Sequence, residues 1–172
     1  MANAAAAEVR SSPGEYSLAV PADYQLRVSQ EVHAPVALVR DFLADLSNFS
    51  RWNPFLEMDS NSNIEVSEPA AGVGASYSWA SKKIGSGVMT ITGVSEAGID
   101  IHMRFTSRNK REDEVRWILE PTAGGTRVVW FMSGKRTFAE RAFVGLMRLD
   151  KVMSQHFADG LARLKAALEG EN

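Results

Sequence analysis

The chain has 172 residues, of which 45% are hydrophobic and 23% charged, a length and composition that indicate one globular domain with a sizeable core. Its formal net charge of -2 provides no strongly basic face for a nucleic acid, and the absence of cysteine excludes disulfides and thiolate chemistry. No apolar run reaches the ~18 residues of a membrane span, and the N-terminus lacks the basic and apolar regions of a secretory signal. We therefore expect a cytoplasmic protein with no nucleic-acid partner and no integral membrane span.

The first residues are predicted to form a tail and the rest a single domain. Residues 1 to 22 are expected to be a mobile tail, because Ser11-Ser12-Pro13-Gly14 interrupts the Ala-rich start before an apolar face accumulates. Residues 23 to 169 are expected to fold as the domain. Its first residues alternate between apolar and polar, which predicts a half-buried strand. The apolar positions of that strand are Tyr24, Leu26, Val28 and Val32.

A short helix is predicted after this strand. Pro35 fits its first turn, where the missing N–H costs nothing, and Ser47-Asn48 is predicted to end it. Between them, apolar side chains recur at helical spacing, which is typical of a helix with one buried face. These side chains are Val36, Val39, Phe42, Leu43 and Leu46.

Three aromatic residues follow within a few positions of the helix end. Phe49, Trp52 and Phe55 surround the breaker Asn53-Pro54, which we expect to stop a second short helix. Polar residues dominate ordinary surface connections, so these rings have to enter the core or the wall of a pocket. Two structures remain possible: a core that caps one end of the sheet, or a partly mobile lid over a pocket.

From residue 75 onward the chain is predicted to be a meander of strands. Short turns such as Glu96-Ala97-Gly98 and Ala123-Gly124-Gly125 join them, and connections this short require antiparallel pairing. Alternation along each strand predicts which side chains face the core. They are Tyr77, Trp79, Met89, Ile101, Met103, Phe105, Val115, Trp117 and Leu119, with Trp130 and Met132 beside them.

A long helix, from about Phe138 to Leu168, is predicted to close the domain. Its buried stripe contains one charged residue, Asp150, which would be costly to bury unless it were paired. Asp150 therefore marks either a polar spot in a cavity or a position at the cavity mouth near solvent, paired with an Arg such as Arg127. Gly145 and Gly160 indicate close packing, a tolerated weakness or a bend around a cavity. The whole stripe is Phe143, Leu146, Asp150, Met153, Phe157, Leu161, Leu164 and Leu168.

Five short motifs carry a resemblance to a known family. They are Val32-His33-Ala34-Pro35, Phe49-x-x-Trp52-Asn53-Pro54-Phe55, Gly72-x-Gly74-Ala75-x-Tyr77-x-Trp79, Gly85-x-Gly87-x-Met89-Thr90-Ile91 and Gly125-Thr126-x-Val128-x-Trp130. With the order of elements, they make residues 24 to 168 resemble the START-like, birch-pollen-allergen-like (SRPBCC) superfamily, and within it the polyketide cyclase/dehydrase and lipid-transport family. The resemblance implies an α+β helix-grip fold. In that fold a seven-stranded antiparallel sheet wraps around a long C-terminal helix, two short helices follow strand 1, and a deep cavity opens at one end.

The leading functional hypothesis is that this cavity binds an apolar or amphipathic small molecule, such as a lipid or a polyketide-like compound. Met and aromatic side chains line ligand sites more often than Val and Ile do, although the same residues could fill a solid core. The candidate ligand-binding residues are Phe49, Trp52, Phe55, Tyr77, Trp79, Met89, Met103, Phe105, Trp117, Trp130, Met153 and Phe157.

Two other classes of function remain open. A cyclase or dehydratase-type enzyme would use the same cavity, with Asp150, Tyr77 or His156 as the candidate catalytic residues. A protein-interaction module would resemble the chaperone-ATPase activators and toxins of the superfamily. No histidine pair has the spacing of metal ligands, so we expect no metal site, and no cofactor is expected.

Two loop features have competing interpretations. Gly72-Val73-Gly74 lacks the Lys-Ser/Thr of a phosphate-binding loop, and its two glycines indicate a flexible gate at the cavity mouth. Lys82-Lys83 and the basic residues Arg108, Lys110 and Arg111 are predicted at hairpin tips. They are interpreted as solvated ends, the alternative being an interaction with an anionic head group or a membrane surface.

Overall fold

A computed structural model of the protein describes residues 24–107, 110–135 and 148–170. The predicted tail, residues 1 to 22, lies outside the described residues. In the described part, one antiparallel sheet has the strand order β1-β7-β6-β5-β4-β3-β2. Its strands are β1 (Tyr24–Val32), β2 (Asn63–Val66), β3 (Ser76–Ser81), β4 (Gly85–Ser95), β5 (Gly98–Phe105), β6 (Arg111–Thr122) and β7 (Gly125–Gly134).

Short helices connect β1 to β2, and a long helix follows the sheet. The helices are α1 (Val36–Ala44), a 3-10 turn (Leu46–Asn48), α2 (Phe49–Trp52), a second 3-10 turn (Pro54–Glu57) and α3 (Arg148–Glu169). The α+β helix-grip architecture, with its seven-stranded antiparallel sheet, is therefore confirmed.

The end of α1 differs from the prediction. The helix ends at Ala44 rather than at Ser47-Asn48, because Asp45 has an extended backbone. The Asp45 carboxylate then accepts a hydrogen bond from the backbone N–H of Ser47 at 2.9 Å, which starts the 3-10 turn.

The alternation along the strands places apolar side chains on the inner face, as predicted. Val115, Trp117 and Leu119 on β6 are between 1% and 4% exposed. His102 on β5 has the opposite parity, and its Nε2 lies 3.5 Å from Glu112 Oε2 in a half-exposed pair. The inner face of the sheet is therefore apolar and the outer face polar, as period-2 alternation predicts.

The buried stripe of α3 is confirmed over its C-terminal part. Phe157, Leu161, Leu164 and Leu168 are at most 4% exposed. Asp150 was predicted to be in this stripe, but it is exposed, so its carboxylate keeps the hydration that burial would remove. The other predicted members before residue 148, together with Gly145, lie outside the described residues.

Arg127 was considered as a partner for Asp150. In the structure it forms ion pairs with acidic residues of the two neighbouring strands, 2.9 Å from Glu31 Oε1 on β1 and 3.6 Å from Glu120 Oε2 on β6. Register explains the arrangement, since both glutamates lie opposite Arg127 in the sheet. The pKa of Arg127 is raised, chiefly by its hydrogen bond with Glu31.

Candidate functional site

A cavity of about 360 Å³ lies between the inner face of the sheet, α2, the second 3-10 turn and α3. Its volume falls within the range of small-molecule sites. The lining residues are Phe49, Asn53, Phe55, Leu56, Met58, Ser62, Ile64, Tyr77, Trp79, Lys83, Ile84, Met89, Met103, Phe105, Arg111, Trp130, Met132, Val152, Met153, His156 and Phe157.

The cavity has a buried interior and an exposed rim. The interior residues, each at most 5% exposed, are Phe49, Tyr77, Met89, Trp130, Met132 and Phe157. At the rim, Met58 is 40% and Val152 is 49% exposed, and Lys83 is also exposed. Apolar side chains therefore continue from the interior to the solvent-exposed edge.

Aromatic contacts make the interior wall rigid. The rings of Trp130 and Phe157 are stacked with centroids 4.3 Å apart and an interplanar angle of 6°. Phe49 meets Tyr77 edge to face at 5.0 Å. Such pairs contribute about 0.5–1.5 kcal/mol each beyond burial of their area, so these side chains hold their positions beside the empty space.

Ten of the twelve candidate ligand-binding residues lie in this wall. The structure places the other two, Trp52 and Trp117, in the core behind it. Their centroids are 4.9 Å apart, each is 1% exposed, and Phe49 contacts both. The rings of the aromatic segment thus divide: Phe49 and Phe55 border the cavity, while Trp52 caps the core.

The Asn53-Pro54 turn positions the third ring, that of Phe55. α2 ends at Trp52, and the Asn53 side chain accepts a hydrogen bond from the backbone N–H of Phe55 at 2.9 Å. Pro54 then occupies the first position of the second 3-10 turn, where its missing N–H is tolerated. The turn directs Phe55 towards α3, with its ring 5.6 Å from that of His156.

The three candidate catalytic residues do not meet in one place. Tyr77 and His156 both line the cavity, and the Tyr77 hydroxyl lies 3.3 Å from Ser50 Oγ. Asp150 is exposed and does not belong to the cavity wall. The cavity thus contains a phenol and an imidazole, but Asp150 lies outside it.

A buried carboxylate that the sequence reasoning did not include lies next to the cavity. Asp113 on β6 has a fully buried side chain, and its Oδ2 accepts a hydrogen bond from Nε of Arg111 at 2.8 Å. A Cβ at Gly134 would lie 1.8 Å from Asp113 Oδ1, so the absence of a side chain there makes room for the carboxylate. Strand alternation could have identified this residue, because Asp113 precedes Val115 by two positions and so lies on the same inner face.

Arg111 was interpreted as a solvated hairpin end, but the structure places it in the cavity wall. Its side chain is 21% exposed, and its guanidinium carbon lies 4.6 Å from the centroid of Phe105 and 5.6 Å from that of Tyr24. The aromatic faces and the Asp113 carboxylate together position the charge. Arg108, from the same basic group, lies outside the described residues.

The turn between β3 and β4 is held by a second acidic residue. The hydroxyl of Ser81 donates to Asp59 Oδ2 at 2.6 Å and accepts from the backbone N–H groups of Lys83 and Ile84 at 3.2 and 3.1 Å. The bond from Ser81 lowers the pKa of Asp59. This network fixes the backbone at Lys83, a residue of the cavity wall, whereas Lys82 does not line the cavity.

The glycine loop is not a gate in this structure. The N–H of Gly72 donates to the carbonyl of Ala44 at 3.0 Å, and that of Gly74 donates to the carbonyl of Ile91 at 2.8 Å. Both glycines have positive φ, 84° and 92°, so they form a specific turn rather than a loose segment. No residue of the loop lines the cavity.

Within residues 24–107, 110–135 and 148–170, no group of three or more His, Asp or Glu side chains is arranged to hold a metal ion. No helix in them combines the length and the apolar composition that crossing a bilayer requires.

Comparison with known proteins gives one family match and several structural matches. The family model described as polyketide cyclase / dehydrase and lipid transport matches residues 24–169. No curated protein matches the sequence.

The solved structures that match share the fold at low identity. A Thermus thermophilus protein has a TM-score of 0.63 at 19% identity, covering 87% of this chain and 99% of its own. A Mesorhizobium loti protein has a TM-score of 0.60 at 14% identity, with coverage of 87% and 99%. DynU16, from the dynemicin biosynthetic locus, has a TM-score of 0.58 at 20% identity over 84% of this chain and 47% of DynU16.

Proposed function

We propose, since this chain belongs to the polyketide cyclase / dehydrase and lipid transport family, that it binds an apolar or amphipathic small molecule between the sheet and α3. The observation that carries the proposal is the cavity of about 360 Å³ with a buried Met and aromatic interior. Each ligand methylene buried there would contribute about 0.8 kcal/mol. We expect this role to be carried out in the cytoplasm.

The shape of the wall supports a binding role over a protein-interaction module. Met side chains have three rotatable bonds and a polarizable sulfur, so they adapt to ligands of different shape. Met89 and Met103, paired on the neighbouring strands β4 and β5, line the sheet side of the space, and Met153 lines it from α3. A module that acts through its outer surface does not need such a hollow.

The test is ligand binding with a blocked cavity. Native mass spectrometry of gently purified protein should show a co-purified small molecule, and the protein should take up a fluorescent fatty acid. Met103→Trp should weaken that uptake at least tenfold, because the larger side chain occupies the space. Val94→Trp, at an exposed position outside the cavity wall, is the matched control and should bind as the unmodified protein does.

Two results would overturn the proposal. One is an unmodified protein that carries no ligand and takes up neither fatty-acid nor aromatic probes. The other is a folded Met103→Trp variant with unchanged uptake, which would place binding outside the cavity.

A cyclase or dehydratase-type enzyme is the second candidate. It is favoured by the hydroxyl of Tyr77 and the imidazole of His156 in the cavity wall, groups that can transfer a proton to or from a bound substrate. The place of DynU16 in a biosynthetic locus is consistent with such a role. With a substrate that the protein turns over, Tyr77→Phe or His156→Gln should lower kcat, whereas Asp150→Asn should not. Unchanged kcat in both cavity variants would remove these roles.

A further inference from the structure

The charged side chains in the cavity wall all have the same sign. Lys83 and Arg111 line it, and no Asp or Glu of the described residues does. The protein as a whole has a formal net charge of -2, so this local excess of positive charge does not follow from composition. An apolar space whose only fully ionised neighbours, among the described residues, are cations favours a ligand that carries a negative charge.

The two cations lie at the same end of the sheet. Lys83 is in the turn between β3 and β4, and Arg111 begins β6 after the neighbouring turn. The backbone N–H of Thr106 donates to the carbonyl of Ser86 at 2.8 Å, which joins the two turns. The rings of Trp79 and Phe105, 5.7 Å apart, form the wall at this end.

We propose that the ligand is an amphipathic anion whose carboxylate binds Arg111 and Lys83 while its apolar body lies along the Met and aromatic interior. This inference rests on the proposed binding function and specifies its ligand class. A guanidinium has five N–H donors in a planar fork, and Nε of Arg111 donates to Asp113. The fork matches the geometry of a carboxylate, which accepts two parallel hydrogen bonds.

The two buried acidic residues nearby orient the cations and do not line the cavity. Asp113 lies behind Arg111, fully buried, and holds the guanidinium over Phe105. Asp59 is 6% exposed and accepts the Ser81 hydroxyl, which fixes the turn that carries Lys83. Lys83 and Arg111 belong to the cavity wall and the two acids do not, so a carboxylate in the cavity would meet the cations.

The experiment compares an acid with its neutral ester. Dodecanoate and methyl dodecanoate are titrated at pH 8 into the full chain, and binding is followed by tryptophan fluorescence or calorimetry. The two probes share one apolar chain, so the ratio of their affinities isolates the charge. We expect the acid to bind at least tenfold more tightly than the ester.

Three variants locate the effect. Lys83→Gln should reduce the preference for the acid severalfold, and Lys82→Gln, at the adjacent residue outside the wall, should leave it unchanged. The double variant Arg111→Gln and Asp113→Asn should bring the ratio close to one. Changing both partners avoids an unpaired buried carboxylate, and Lys83→Gln tests the inference independently if the double variant does not fold.

The outcomes separate this inference from the proposed function. Equal binding of acid and ester by the unmodified protein, or a preference that survives both Lys83→Gln and the double variant, overturns the anionic ligand and leaves ligand binding intact. Binding of neither probe overturns the inference, and it overturns the proposed function as well when the protein also carries no co-purified ligand and takes up no aromatic probe. A preference that falls in the two cavity variants and persists in Lys82→Gln supports the inference.

Discussion

The space between the sheet and α3 has two halves of opposite character. Along the C-terminal half of α3, Leu161, Leu164 and Leu168 are at most 4% exposed, and none of them borders the cavity. Along the N-terminal half, Val152 is 49% exposed and Met153 borders the cavity. We call these the closed half and the hollow half.

The difference between the halves follows from the shapes of the side chains. Branched aliphatic side chains interdigitate to the density of an organic crystal, which leaves no room for a ligand. Stacked rings such as Trp130 on Phe157 instead form flat walls that support each other without filling the space in front of them. One helix can therefore provide stability at one end and border a cavity at the other.

The largest effect is expected from truncating the closed half. Leu164→Ala should lower the free energy of unfolding by about 3 kcal/mol, because it leaves a cavity in a filled core. Met153→Ala should lower it by only about 1 kcal/mol, since that side chain is half-buried and already faces empty space. Urea denaturation of both variants measures the two losses. Equal losses would show that the halves are packed alike.

A smaller loss is expected where the two halves meet. At Gly160 of α3, a Cβ would lie 3.0 Å from Cδ of Pro54 and 3.1 Å from Cζ3 of Trp130. The close-packing interpretation of this glycine is therefore confirmed. Gly160→Ala should gain about 1 kcal/mol in helix propensity and lose about 2 kcal/mol to overpacking, a net loss of about 1 kcal/mol.

The control for Gly160→Ala is the same change combined with Pro54→Ala. Removing the proline ring relieves the nearest clash, so the cost of alanine at residue 160 should shrink or reverse in that background. Urea denaturation of the single and double variants gives the comparison. If Gly160→Ala alone stabilises the protein, the rings of Pro54 and Trp130 move aside at little energetic cost. The two halves are then less distinct than we infer.

The fold could be predicted from local patterns because each element carries its own signal. Period-2 alternation identified the inner face of β6 through Val115, Trp117 and Leu119, and short turns required antiparallel pairing. Burial of a helix residue depends instead on how far the helix stays in contact with the sheet. A helical stripe cannot encode that distance, so periodicity alone left open whether Asp150 lies in the cavity or near solvent, and the structure shows it exposed.

Most apolar residues of the cavity wall could be predicted from the sequence, but its charged residues could not. Side-chain type and parity identified Tyr77, Met103 and eight other residues that border the cavity. The sequence pattern could not predict which rings border the cavity and which lie in the core. Trp52 and Phe49 are both buried rings of one short helix and differ in which neighbours they face. Arg111 was interpreted as a hairpin end, and only its contact with the buried Asp113 shows that it turns inward.

The smallest effect concerns two ion pairs formed by the C-terminal half of α3. Glu169 Oε1 accepts from Nζ of Lys165 at 2.7 Å and from the backbone N–H of His33 at 2.8 Å, with His33 Nδ1 at 3.0 Å. Arg163 of the same half pairs with Glu57 of the second 3-10 turn at 2.7 Å, but Glu57 is 73% exposed. Partly buried, multiply bonded carboxylates contribute more to stability than exposed pairs do, so Glu169→Gln should cost more stability than Glu57→Gln.

The contribution of Glu169 to the free energy of unfolding is expected to depend on pH. The hydrogen bond from Lys165, followed by that from the His33 backbone, lowers the pKa of Glu169 below 4.5. A carboxyl with a lowered pKa stabilises the folded state above its unfolded pKa, and that contribution disappears as the pH falls through the folded value. Unfolding curves of the unmodified protein and of Glu169→Gln should therefore differ at pH 7 and converge below pH 4.5. A stability difference between the two proteins that stays constant down to acidic pH would mean that Glu169 acts by packing. The ionised contact would then contribute nothing to the stability of the closed half.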